Sequence, residues 1–90
     1  MGAPLFNVTI LTPEMKAFDG EAESLVVPAA LGYAGILANH APYMTALTNG
    51  TITIRDGAGR TTRFDTRSSG FMEVLRNRAT ILVDAVEPRA

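Results

Sequence analysis

His40 is the only histidine of the ninety-residue chain, and cysteine is absent. The histidine sits in the stretch Gly32-Tyr33-Ala34-Gly35-Ile36-Leu37-Ala38-Asn39-His40-Ala41-Pro42, where glycine, asparagine and proline crowd together. Nucleophilic catalysis needs a Ser, Thr or Cys beside a base that a third group orients. No such partner lies near His40 in sequence, so it reads as a structural hydrogen-bonder or an exposed side chain. One histidine with scattered carboxylates has no metal-ligand spacing, and Asp19-Gly20-Glu21 lacks the alternating oxygen ligands of a calcium loop. Glu21 and Glu23 fall two apart, on one face of an extended segment, a placement that acid and base roles could use. Surface solvation is the better reading of that pair. Gly57-Ala58-Gly59 has the glycines of a phosphate cradle, but no Lys-Ser/Thr pair follows and no helix N-terminus is at hand. It reads as a hairpin tip. No catalytic residue, cofactor, metal or small-molecule substrate is expected, and the chain should act through its surface as a binding or structural module.

Composition narrows the partners. Eight basic and nine acidic residues give a net charge of -1, too little for a field that would gather nucleic acid or an anionic membrane. The one mildly basic stretch, residues 55–67, interleaves Arg55, Arg60, Arg63 and Arg67 with Asp56 and Asp65. Without stacking aromatics it reads as a solvated face, so no nucleic acid is expected. No apolar run approaches the roughly 20 residues that span a bilayer, so direct membrane insertion is not expected. The first ten residues carry no basic segment followed by an apolar core, and no secretory signal is read there. With no disulfide framework either, the cytoplasm is the expected compartment.

The elements that must position any functional surface are short and extended. Phe6, Val8 and Ile10 alternate with Asn7, Thr9 and Leu11, the period of a strand with one buried face. Thr12-Pro13-Glu14 breaks that strand, residues 15–18 form a short run, and Asp19-Gly20 reads as a turn. Residues 21–27 resume as a strand until Pro28 removes a ladder donor. Residues 32–42 then read as a turn built to a specific shape, since glycine opens positive φ and proline restricts the residue before it. Residues 43–47 and 51–54 flank Asn49-Gly50, the best short-range hairpin signal in the chain. Asp56-Gly57-Ala58-Gly59 marks a second hairpin into residues 60–66. Residues 70–75 and 79–83 form a last pair around Arg76-Asn77-Arg78. Turn signals recur about every ten residues and helical periodicity is nowhere sustained, which predicts an all-β sandwich or flattened barrel.

Several blocks of this pattern resemble a known family. Residues 18–28, 32–42 and 47–54 in that order, followed by Gly70-Phe71-Met72-Glu73-Val74 and Thr80-Ile81-Leu82-Val83-Asp84-Ala85, are similar to the N-terminal domain of the epsilon subunit of bacterial F-type ATP synthases. The resemblance covers nearly the whole chain, and the Gly-Ile-Leu…His-Ala-Pro string is its most specific part. It implies a ten-stranded β-sandwich of two packed sheets over residues 1–86 and a short tail at 87–90. It also implies a non-catalytic place in the central stalk, between the gamma subunit and the ring of c subunits, at the cytoplasmic face of the bacterial inner membrane. Carried onto this chain, the c-ring-facing loop comprises Leu31, Gly32, Tyr33, Asn39 and His40, with Gly32 and Gly35 shaping it. Met44 is a weaker candidate for the gamma-facing side, ordinary core packing being the alternative. Two departures stand out: Tyr33 occupies a position where many relatives carry an acidic residue, and Ala38 replaces a frequent proline. Most bacterial relatives also continue into a C-terminal helical hairpin that can inhibit hydrolysis and bind ATP. These residues hold no such segment, so the expectation is a coupling subunit that neither inhibits by helix insertion nor binds nucleotide. The competing expectation is a stand-alone β-sandwich module recognising a peptide or sugar.

Overall fold

Alternation along the chain becomes ten strands in the computed structural model, which describes residues 2–90. They are β1 (Phe6–Leu11), β2 (Lys16–Ala22), β3 (Ser24–Ala29), β4 (Gly32–Leu37), β5 (Tyr43–Leu47), β6 (Gly50–Arg55), β7 (Thr61–Thr66), β8 (Gly70–Leu75), β9 (Arg78–Val83) and β10 (Glu87–Arg89). Hydrogen bonding runs β10-β7-β6-β3-β5-β8-β9-β1-β2, with β4 on the other side of β3. The order falls into two halves, β10-β7-β6-β3-β4 and β5-β8-β9-β1-β2. A single residue pair, Ala29 with Leu47, joins them. The two expected sheets are thus halves of one curled network. All pairs are antiparallel except β1 with β9.

The core lies between the halves because each contributes one side of its pleat. Phe6, Val8, Ile10, Met72, Val74, Ala79 and Ile81 from one half meet Leu25, Val27, Ile36, Ile52, Ile54 and Phe64 from the other in one cluster. Each fully buried Ile or Leu contributes about 1.5–3 kcal/mol relative to exposure. At the open edge, Phe18 of β2 meets Phe64 of β7 edge to face, with ring centroids 6.1 Å apart. Of the few polar groups drawn inside, Thr66 is bonded to Ser68 and the Ala85 carbonyl. Among the described residues no buried side-chain nitrogen or oxygen lacks a partner.

Five local expectations change. Asp19-Gly20 is mid-strand in β2, because the ladder with β1 continues through Asp19↔Thr9 and Gly20↔Val8. The break comes instead at Glu23, whose N–H donates to the Arg55 carbonyl where the chain crosses between halves. The expected turn at residues 32–42 is mostly β4: it pairs with β3 from Ser24↔Leu37 to Ala29↔Gly32, and burying Ile36 settles its register. Pro28 is accommodated inside β3, and only a corner at 38–42 remains irregular. Asn49-Gly50 makes no hairpin, since β5 pairs with β8 while β6 pairs with β3 and β7. Residues 87–89, expected as tail, add β10 to the edge of β7. The turns at 56–60 and 76–77 form as read. Arg76 and Asn77 both have positive φ, 52° and 61°, the signature of a type I′ hairpin.

Candidate functional site

The five residues expected to form one loop are divided by β4. Leu31, Gly32 and Tyr33 lie at the β3–β4 tip, and Asn39 and His40 at the opposite end, roughly 20 Å away by the rise of six strand residues. At the tip Leu31 is fully exposed and Tyr33 is 61% exposed. Gly32, at φ 125°, takes a conformation that disfavours side chains and closes the two-residue turn after Ala29. Gly35 is in strand, with room for a side chain. The Tyr33 ring is laid back along the sheet, where its hydroxyl accepts the Thr51 N–H at 3.1 Å. Behind it, Thr51 Oγ1 donates to Asp65 Oδ1 at 2.8 Å, and Arg89 of β10 donates to Thr51 Oγ1 at 3.1 Å. The tip is therefore a fixed projection, tied by one hydroxyl across β3 to β6.

At the corner, Asn39 adopts φ 62° and its N–H donates to Asn77 Oδ1 at 2.8 Å. The His40 ring tilts against Tyr43 at 5.6 Å, and its Nδ1 lies 2.7 Å from the Ala41 carbonyl. A carbonyl can only accept, so Nδ1 carries the proton in that bond. Among the described residues the His40 ring is bonded to a carbonyl and not to a hydroxyl, so it forms no base–nucleophile pair. Glu21 and Glu23 are separated by the end of β2, and among the described residues no three His, Asp or Glu side chains converge as a metal site would require.

A third surface is the outer face of β5, β8 and β9. Met44 is 66% exposed, so it is not core, and Phe71 and Leu82 are 57% and 51% exposed. Register sets them in rows: Ala46 opposite Phe71, Phe71 opposite Leu82, Leu82 beside Leu11, and, one row over, Met44 opposite Glu73 and Glu73 opposite Thr80. Between Met44, Phe71, Glu73, Thr80 and Leu82 lies a groove of about 320 Å³. Phe71 and Leu82 were not legible as site residues. Their strands are apolar on both faces, with Met72, Val74, Ile81 and Val83 inside. A solvent-facing strand shows no such two-sided pattern, and that was the available signal.

One carboxylate elsewhere departs clearly from its ordinary value: hydrogen bonds from Lys16 and then Asn7 hold Asp19 below the usual carboxylate range.

Comparison with known proteins places these surfaces in context. Residues 5–89 match the family model described as the ATP synthase Delta/Epsilon chain, beta-sandwich domain. An ATP synthase epsilon chain of Caulobacter vibrioides is 42% identical over 82 residues, covering 90% of this chain and 93% of that protein. Epsilon chains of Leptospira borgpetersenii and Gloeothece citriformis are 40% and 39% identical. Of those two the match spans only 65% and 59% of the length. A chain in the Euglena gracilis mitochondrial ATP synthase structure superposes with a TM-score of 0.87 at 16% identity, covering 98% of this chain and 56% of the other. One from the central stalk and c-ring of the Tetrahymena thermophila mitochondrial enzyme gives 0.75 at 20% identity, covering 97% and 69%. At those identities the likeness is one of fold.

Proposed function

Because this chain belongs to the family of the ATP synthase delta/epsilon-chain β-sandwich domain, we propose that it is a non-catalytic rotor subunit that links the gamma subunit to the c ring. It couples ion translocation to ATP synthesis by holding two partners in fixed relation. The observation that carries this reading is the presence of two different contact surfaces on one rigid network. The outer face with Met44, Phe71 and Leu82 is apolar and suits a large packed interface. The β3–β4 tip with Leu31, Gly32 and Tyr33 is a narrow projection whose Tyr33 is held by Thr51. We assign the face to gamma and the tip to the polar loops of the c ring. Asn39 and His40, at the far end of β4, border the gamma side through Tyr43 and Met44. Docking rigid surfaces loses less conformational entropy than docking mobile ones, which suits a part that must transmit torque. The complex would sit at the cytoplasmic face of the bacterial inner membrane, with this subunit peripheral to it.

In this reading these ninety residues couple the rotor without inhibiting hydrolysis by helix insertion and without binding ATP. The experiment is reconstitution of the purified chain with gamma, the c ring and the catalytic sector. Expected outcomes are co-purification at micromolar concentration and unchanged ATP hydrolysis. Failure to bind gamma would overturn the rotor reading. Strong inhibition reversed by ATP would overturn the assignment of a purely coupling role.

A further inference from the structure

We infer that Asn77 is a positioning residue for the docking corner at residues 38–42, a role that rests on the docking surfaces proposed above. Asn77 lies in the β8–β9 turn at φ 61°, a conformation asparagine tolerates. Its side chain does not serve its own turn. Oδ1 accepts the Asn39 N–H at 2.8 Å, across 38 residues of chain, and Nδ2 donates to the Leu5 carbonyl at 2.9 Å, across 72. The Asn77 carbonyl also accepts the Asn7 N–H at 3.1 Å. One residue thus fastens the corner, the β8–β9 turn and the lead into β1 to one another.

The corner is otherwise held by Ala38 packed against the core and by the His40 ring against Tyr43. Outside the strands, and among the described residues, it makes no backbone–backbone bond, while Asn39 is itself kept at φ 62°. The chemistry selects the side chain. A backbone N–H demands an acceptor and a carbonyl demands a donor, and within this reach the amide supplies both. Aspartate keeps the acceptor and loses the donor; glycine keeps the positive φ and loses both. His40 and Tyr43 follow directly on, at the border of the apolar face. A corner fixed before docking need not be ordered during it.

The test uses Asn77→Gly and Asn77→Asp, both compatible with the turn, so that the fold is retained. In Asn77→Gly, amide exchange at Asn39 should rise about tenfold or more, as expected for losing its hydrogen bond. Affinity for the gamma and c-ring assembly should fall about fivefold to tenfold. Asn77→Asp should fall between wild type and Asn77→Gly in affinity. If Asn77 acts through the corner, its effect on affinity shrinks in a His40→Ala background, whereas a general loss of stability would simply add. Unchanged Asn39 exchange, or faster exchange with unchanged affinity, overturns the inference and leaves the rotor reading standing. A wild-type chain that does not bind at all overturns the rotor reading itself, and the positioning role with it.

Discussion

Asp19 stands mid-strand on β2, where Lys16 Nζ donates to one carboxylate oxygen at 3.3 Å and Asn7 Nδ2 to the other at 3.4 Å. Both bonds favour the charged form, the Lys16 bond most, and the folded state therefore holds the group below its ordinary range. A depressed carboxylate adds stability above the unfolded-state value of about 4, and that contribution is lost as pH falls through the folded value. Asp19→Asn should thus lower the urea midpoint slightly at neutral pH, and the deficit should shrink as pH falls below the unfolded-state value. A deficit that does not shrink with falling pH would show that the carboxylate's charge is not what matters. At this scale the sequence was most informative about His40, which has no catalytic partner residue types nearby in the chain. It could not reveal the Tyr33 bond to Thr51 or the Asn77 bonds, since each depends on which distant strands become neighbours.

Strands were legible wherever burial alternates, as in β1, β6 and β9, because the pleat and the pattern share a period of two. Turn dipeptides were less dependable guides. Asp19-Gly20 stays in β2, where the Phe18 ring covers the glycine. Asn49-Gly50 marks a change of direction but does not name the next partner. There the Thr48 N–H donates to the Pro28 carbonyl and the Ala30 N–H to the Ala46 carbonyl, so the end of β5 is bound to the β3–β4 turn rather than to β6. Gly50 is fixed in that crossing by its surroundings. At φ 156°, a Cβ on it would come 2.5 Å from the Tyr33 hydroxyl and 2.6 Å from Pro28 Cβ. Gly50→Ala should therefore cost about 1–3 kcal/mol in urea denaturation, the usual range for overpacking. Adding Tyr33→Phe should recover part of it by removing one of the two obstacles. No recovery would mean that Pro28 or the backbone dominates.

For the molecule as a whole, fold class followed from regular turn spacing, while the division of surfaces did not. Residues 32–42 looked like one loop in sequence, yet pairing with β3 stretched them into a strand and sent their two ends to different places. The outer face of β5, β8 and β9 offers the clearest test of how the whole protein is used. Phe71→Ser with Leu82→Ser removes a cross-strand pair that is already about half in water, so stability should fall by no more than about 1–2 kcal/mol and the fold be retained. Binding to gamma should weaken by about tenfold or more, as for residues central to an interface. Unaltered binding would move the gamma contact elsewhere on the protein. The parallel ladder between β1 and β9, from Asn7↔Arg78 to Leu11↔Leu82, carries a different consequence, one of timing. The second partner strand of β1 is the ninth to be made, and at roughly 5–20 residues per second it leaves the ribosome several seconds later. Until then the edge of β1 that faces away from β2 has no strand to pair with. The newborn chain must carry one edge of its first strand unpaired until its ninth strand has been made.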